Sequence, residues 1–359
     1  MANYVESALL AFQGRVRAGL AAHEVRELDT AVLQYALENT QFFETIMNIN
    51  EIKQSTQRPV YGYQFNRITT ANGSGMVTQP TGGMGTSVQV PLTFVSFTQT
   101  FQTFNVTGYD NVMSFAAIFD NQARQAMRQI RTGVREWLVT SLYGSRTATL
   151  PTEITSTIKN ATWNAGNATY EVSGSNPYAN ITSVMRQAGY GSSTYDALFD
   201  ATLYPQYQYS AAQGTMNAAN LQYQFDKKPL QPTYQGGYFD NIWEELYLAN
   251  DTGYEQGYAL VMPKNAFAMV PWMPKIYYDE RRSRDFASYT GGYGTIGDDM
   301  YDGMVYQLFG WNNQSDTSGS NGFPQSQTQN WQIGITLAFV PAYLSNPDET
   351  AIYGFALQP

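Results

Sequence analysis

An α+β fold is predicted by three features of the sequence. Apolar residues recur at helical spacing through residues 1–52 and again through 111–143. Strict two-residue alternation marks residues 86–94 and 331–339 as strands. Short helical and strand patterns mix between Ile181 and Trp331, with no internal repeat. At 359 residues the chain is long enough for one large domain or two to three smaller ones with a sizeable core.

Taken in order, the first helical series is Val5, Leu9, Phe12, Val16 and Leu20. The second is Leu28, Val32, Tyr35, Phe42, Ile46 and Ile49, with Asp29 and Thr30 offering capping oxygens near its start. Both helices are amphipathic. From Pro59 the texture changes: residues 59–70 are aromatic and β-branched. Residues 71–85 hold five glycines and a proline, and predict a flexible tip. Residues 86–107 return as strand, with Val88, Val90, Leu92 and Phe94 alternating and Phe97, Phe101, Phe104 and Val106 following. The pattern is a long hairpin. Arms of about 12 residues reach roughly 40 Å, and an isolated two-stranded ribbon is marginal in water. It must lie on something.

The longest helix follows, from about Asn111 to Tyr143, carried by Phe115, Phe119, Ala123, Met127, Ile130, Val134, Trp137 and Leu142, with Gly144 as its stop. Its length is about 45–50 Å at about 1.5 Å per residue. Residues 146–180 are Thr-, Asn- and Gly-rich, with strands expected at Glu153–Ile158 and Thr169–Val172. Asp200 is placed to cap a helix running towards Gly214. Tyr258, Leu260 and Met262 belong to a buried strand, YALVM, after which Pro263 opens a short helix, PKNAFAMV. Residues 311–330 read as a polar loop. A closing hairpin is expected from Trp331, Ile333, Ile335, Leu337 and Phe339, the turn SNPDE, and a return over Ile352–Leu357.

Composition narrows the function classes. Charged residues are 14% of the chain, against about 25% in ordinary soluble domains. Tyr, Thr, Asn, Gln, Ser and Gly fill the difference, so much of the surface is neutral and polar. Tyr, with 27 copies, is a favoured interface residue. Low charge and high Tyr point to a chain with many partners. A net charge of −9 argues against a protein that lives by gripping nucleic acid. There are no cysteines, which removes disulfides and thiolate metal sites. The N-terminus lacks the pattern of a signal peptide, and no run approaches the roughly 20 apolar residues of a membrane span.

The order of these parts resembles the Hong Kong 97-type (Johnson) fold of tailed-phage major capsid proteins. An arm, a long Gly-tipped hairpin, a long helix, a mixed α/β region and a closing strand follow one another as in that family. The segments DALFDATLYPQYQYSAAQG and GYALVMPKNAFAMVP are similar to axial-domain sequence of such proteins. The resemblance implies an N-terminal arm at 1–52, an extended β-hairpin loop at 53–110, a peripheral domain with its spine helix at 111–180 and 331–359, and an axial domain at 181–330. It implies a virion shell protein without catalysis or cofactor, assembled in the bacterial cytoplasm. Its copies would form hexamers and pentamers of an icosahedral or prolate shell around double-stranded DNA. Cement, portal and vertex proteins are further partners in such shells. Because the arm helix begins close to Met1, with no long charged region ahead of it, a separate scaffold protein is expected. Residues 54–110 contain no lysine, so the lysine crosslinking of some family members has no donor on this loop. Tyr61, Phe65, Met76 and Met84 are the loop's candidate assembly contacts.

Other constellations each carry two readings. Arg124, Arg128, Arg131 and Arg135 recur at spacings of four, three and four along the long helix. They read either as a basic strip facing DNA or a neighbouring subunit, or as a solvated face on which Asp120 already pairs Arg124. Arg281, Arg282, Arg284 and Asp285, within DERRSRD, suit an inter-subunit patch or an exposed turn worth about 0–1 kcal/mol per pair. The acidic run GDDMYDG, with Asp298, Asp299 and Asp302, lacks EF-hand spacing and reads as an acidic turn before a calcium loop. His23, the single histidine, reads as a helix-flanking residue. No phosphate-binding GxxxxGK[ST] or GxGxxG follows a strand. Two-carboxylate glycoside hydrolysis or sugar binding is the enzyme-side alternative, since 29 acidic residues and many aromatics supply the parts. A tail or fibre protein is the other alternative, and the long helix speaks against it.

Overall fold

A computed structural model describes residues 31–38, 60–65, 87–104, 115–150, 157–158, 160–174, 177–190, 195–207, 239–245, 248, 257–271, 292–298, 304–312, 328–342 and 349–357. The first arm series, His23, the 71–85 tip with Met76 and Met84, and the Arg281–Asp285 cluster lie outside these residues. Helix α1, Ala31–Glu38, falls within the second arm series and buries Val32, Leu33 and Ala36.

Strands β1 (Val60–Phe65) and β2 (Ser87–Leu92) pair in a two-stranded sheet of their own, as the hairpin pattern predicts, but the rest of the expected return arm, from Phe94 on, pairs with another sheet. After Thr93 the chain continues as β3, Phe94–Phe104. Helix α2 then runs over Phe115–Gly144, with Gly144 as its last residue.

The chain divides into two compact units. The first contains Pro91–Trp137 and Ala268–Val340. Its sheet has five strands, adding β10 (Phe267–Pro271), β11 (Gly292–Gly297), β12 (Val305–Asn312) and β13 (Thr328–Pro341) to β3. β3 runs antiparallel to β13 from Phe104↔Thr328 to Phe94↔Ala338. β12 flanks β13, and β11 is the outer partner of β12.

Alternation decides what this sheet buries. Phe97 and Phe101 of β3, and Trp331 and Phe339 of β13, meet α2. Phe119 stands edge-on to Trp331 with ring centroids 4.7 Å apart, and Trp137 stands edge-on to Phe97 at 5.6 Å. Trp331 satisfies its indole N–H by donating to Thr103 Oγ1 at 2.8 Å. Buried aromatics of this size stabilise by about 1.5–3 kcal/mol each.

The second unit contains Leu138–Phe267 and Pro341–Pro359. Its seven-stranded sheet adds β4 (Thr157–Ile158), β5 (Ala161–Asn164), β6 (Thr169–Val172), β7 (Tyr195–Asp200), β8 (Phe239–Glu245), β9 (Tyr258–Met262) and β14 (Tyr353–Leu357), in the order β4-β5-β6-β14-β9-β7-β8. β9, the expected YALVM strand, is buried throughout. Helix α3, Pro177–Gln187, packs Ile181, Val184 and Met185 on Tyr170, Phe199 and Phe355 of the sheet. Asp200 does cap a helical turn: its Oδ1 accepts the Leu203 N–H at 2.7 Å.

Three features of the fold differ from expectation. PKNAFAMV is a turn at Lys264–Asn265 followed by β10, not a helix. Its residues Phe267, Ala268, Met269 and Val270 are all buried, so no polar side exists for a helix to turn outward. The last two strands do not form a hairpin. β14 inserts between β6 and β9, where a strand buried on both faces finds two partners. α3 is absent from the sequence reading, although Pro177 in a first turn and Gly189 at φ 87° after the end are its signals. β6 and β9 both flank β14, and β12 pairs with β13 across residue 330.

Candidate assembly surfaces

The β1–β2 ribbon is the first candidate. Tyr61 and Phe65 lie on β1. Neither strand contains an Asp, Glu, Lys or Arg. The root of the ribbon is anchored in the first unit, where Leu92 and Phe94 pack with Ala268, Val270, Ala338 and Val340.

Helix α2 is the second. Its core side is Phe119, Ala123, Met127, Ile130 and Val134. Each of the four arginines follows one of the last four residues by one position, and one residue turns about 100° around the axis. That places them on the flank, where long side chains bend over apolar neighbours. Arg124 pairs with Asp120 at 3.2 Å, as the spacing predicts. Arg131 and Arg135 are buried. Arg131 Nη1 lies 2.9 Å from Asp298 Oδ1, and Tyr306 Oη donates to Asp298 Oδ2 at 2.6 Å. Arg124 and Arg128 are half-buried beside them. The exposed positions of this part of the helix are Asn121, Gln125, Gln129, Thr132 and Glu136. They present amides and a hydroxyl with a single charge.

Asp298 is thereby accounted for within GDDMYDG. Its carboxylate is engaged by Arg131 and Tyr306, and its N–H donates to Met304 O at 2.9 Å, closing the β11–β12 connection. Asp299 and Asp302 lie outside the described residues. Among the described residues, no group of three or more His, Cys, Asp or Glu is placed to hold a metal ion. No helix among them is long and apolar enough to cross a membrane. The buried carboxylates of the second unit also serve the fold. Asp196 accepts from Asn241 Nδ2 at 2.8 Å, and Asp200 accepts the backbone N–H groups of Leu203 and Tyr258.

The third surface is the side of the five-stranded sheet that faces away from α2. Ser96, Thr98, Thr100 and Gln102 of β3 are exposed there, and Ser96 hydrogen-bonds Thr336 across the strands at 2.8 Å. Register carries the same side to β12: Thr98 opposes Gly334, which opposes Gln307, and Val305 stands two residues on. The sequence reading missed this surface; its signal was alternating Thr, Ser and Gln with the phenylalanines of β3.

No protein-family model matches the chain, and no curated protein matches it. Solved phage structures are similar to it. For the capsid of Ralstonia phage GP4 the identity is 9%, covering 95% of this chain and 94% of that one, at a TM-score of 0.47. For the capsid asymmetric unit of cyanophage Pam1 it is 10%, covering 94% and 98%, also at 0.47. For a chain of Mycobacterium phage Che8 it is 11%, covering 88% and 90%, at 0.38.

Proposed function

We propose that this chain is the major capsid subunit of a tailed double-stranded-DNA phage and acts by assembly rather than catalysis. The observation that carries this reading is the β1–β2 ribbon, which forms a two-stranded sheet of its own and runs directly into β3 of a packed sheet. A two-stranded ribbon is marginal in water. Charge-free strands remove the usual guard against pairing with another chain. Such a ribbon is stable when it lies on a neighbour, and a closed shell supplies one to every copy. Weak contacts then suffice, because each subunit makes several at once.

In this reading residues 1–52 are the arm and 53–110 the extended loop, whose last strand, β3, joins the sheet of the peripheral domain. The unit holding most of α2 and the five-stranded sheet is the peripheral domain. The unit with the seven-stranded sheet is the axial domain, about which hexamers and pentamers form. The neutral exposed stripe of α2 and the buried arginines offer packaged DNA no strong grip, so contact with it is weak and non-specific. A separate scaffold protein guides closure.

Negative-stain electron microscopy of the purified chain, with light scattering for mass, tests the proposal. Shells, partial shells or rings of five and six subunits are expected. A chain that stays monomeric with and without its phage's scaffold protein overturns the reading. Deleting residues 71–85 is expected to leave a folded chain that assembles poorly, and normal shells from that deletion remove the extended-loop assignment.

A further inference from the structure

We propose that the side of the five-stranded sheet facing away from α2 is a contact surface between copies of this chain. The inference rests on the assembly reading and assigns it a surface that the ribbon and the arginines do not include. Three observations carry it.

The first is the composition of the sheet. Strands β3, β10, β11, β12 and β13 contain no Asp, Glu, Lys or Arg. A sheet that stays in water ordinarily carries charges on its face and edges, Lys above all, because an uncharged one invites pairing. Here Ser96, Thr98, Thr100 and Gln102 stand exposed with no charged residue among their strand partners.

The second is Val305. At 42% it is the large hydrophobic residue that stands exposed among the described residues, and register puts it on this same side. It lies beside Gln307, in a row that a partner would cover.

The third is charge. The chain carries −9, so copies repel wherever carboxylates meet. Like charges about 4 Å apart cost about 1 kcal/mol even in water, and more as water is excluded. Two copies meet at least electrostatic cost on a face that has none. Hydroxyls and amides also exchange water for partner hydrogen bonds more cheaply than ammonium or carboxylate groups. The same absence of charge disfavours DNA as the occupant, since nucleic acid is held by Lys and Arg that neutralise phosphates. A second copy is therefore the partner that fits.

The chain has no cysteine, so a single Thr100→Cys substitution gives a unique thiol on this surface. The purified variant is assembled alone, without DNA or any other protein. Its reaction with N-ethylmaleimide is then timed in dissociated and assembled protein. Gln125→Cys, on the exposed side of α2, reports whether the reagent reaches assembled subunits at all. The expected result is a rate at position 100 at least about tenfold slower on assembly, with a much smaller change at position 125. A position-100 rate that is unchanged, or slowed no more than at position 125, overturns the inference while leaving the capsid reading intact. A chain that never assembles fails at the earlier step and overturns both. As a second variant, Thr98→Glu with Thr100→Glu is expected to raise the concentration needed for assembly at least about tenfold, with an unchanged circular dichroism spectrum. Assembly of that folded variant at the parent concentration also counts against the surface.

Discussion

Arg131 and Asp298 are 167 residues apart in the chain and form a buried ion pair, with Nη1 2.9 Å from Oδ1 and Tyr306 completing the carboxylate's hydrogen bonds. The pair ties α2 to the start of the β11–β12 connection.

Replacing Asp298 with Ala takes the carboxylate away from a guanidinium that remains inside the first unit. Breaking a buried pair from one side costs about 3–5 kcal/mol. Urea unfolding followed by tryptophan emission should show a loss in the lower part of that range, since Arg131 keeps other contacts. Arg131→Met combined with Asp298→Leu should recover much of it, because no buried charge is then left behind. Equal losses in the single and double variants would count against the pair as the cause.

Gly354 is required by close approach. A Cβ there would run into Tyr258 Oη and come within 2.9 Å of Thr169 Cγ2. Gly354→Ala is expected to destabilise the second unit by about 1–3 kcal/mol through overpacking. Tyr258→Phe in the same chain should relieve part of the clash, and a double-mutant cycle on urea midpoints measures the coupling.

Tyr170 is fully buried, and its hydroxyl has no hydrogen-bond partner among the described residues. Burial pushes its phenol up to about 12. The ordinary phenol value is about 10. Between these two values the unfolded chain releases a proton that the folded chain retains, so stability falls as pH rises. The contribution is whole below about pH 10 and is lost on approach to about pH 12. Tyr178, Tyr195 and Tyr353 are raised by burial in the same direction. Tyr170→Phe should leave stability near neutral pH within about 1 kcal/mol of the parent. It should also make the fall in urea midpoint shallower between about pH 10 and 11. An identical alkaline slope would show that Tyr170 takes no part.

Gly133 interrupts α2 where the nearest atom to a new Cβ, Phe97 Cδ1, would be at an ordinary 3.7 Å. Gly133→Ala should therefore stabilise the first unit by about 0.5–1 kcal/mol, read as a higher urea midpoint. A loss of stability would mean that the Phe97–Trp137 contact beside it does not tolerate the methyl group.

The elements that were legible in the sequence are those whose reason is local. α2 followed from nothing more than apolar spacing between Phe119 and Leu142; β2, β3 and β9 followed from alternation or a short apolar run. The cap at Asp200 followed from a carboxylate placed before a helical turn. The sign of the chain's charge and the absence of cysteine, which exclude whole classes of chemistry, are properties of composition alone.

Tertiary structure decided the rest. Whether Arg131 and Arg135 face water depends on what lies beside the helix, and their spacing is the same in either case. PKNAFAMV became a turn and β10 because the first unit offered β13 as a partner, overriding a proline signal that was local and weak. β14 left β13 for a slot between β6 and β9 because strand pairing is made through the backbone, whose donors and acceptors are alike in every sequence. Spacing along the chain records which side of an element is apolar. Which other element meets that side is fixed only when the chain closes on itself.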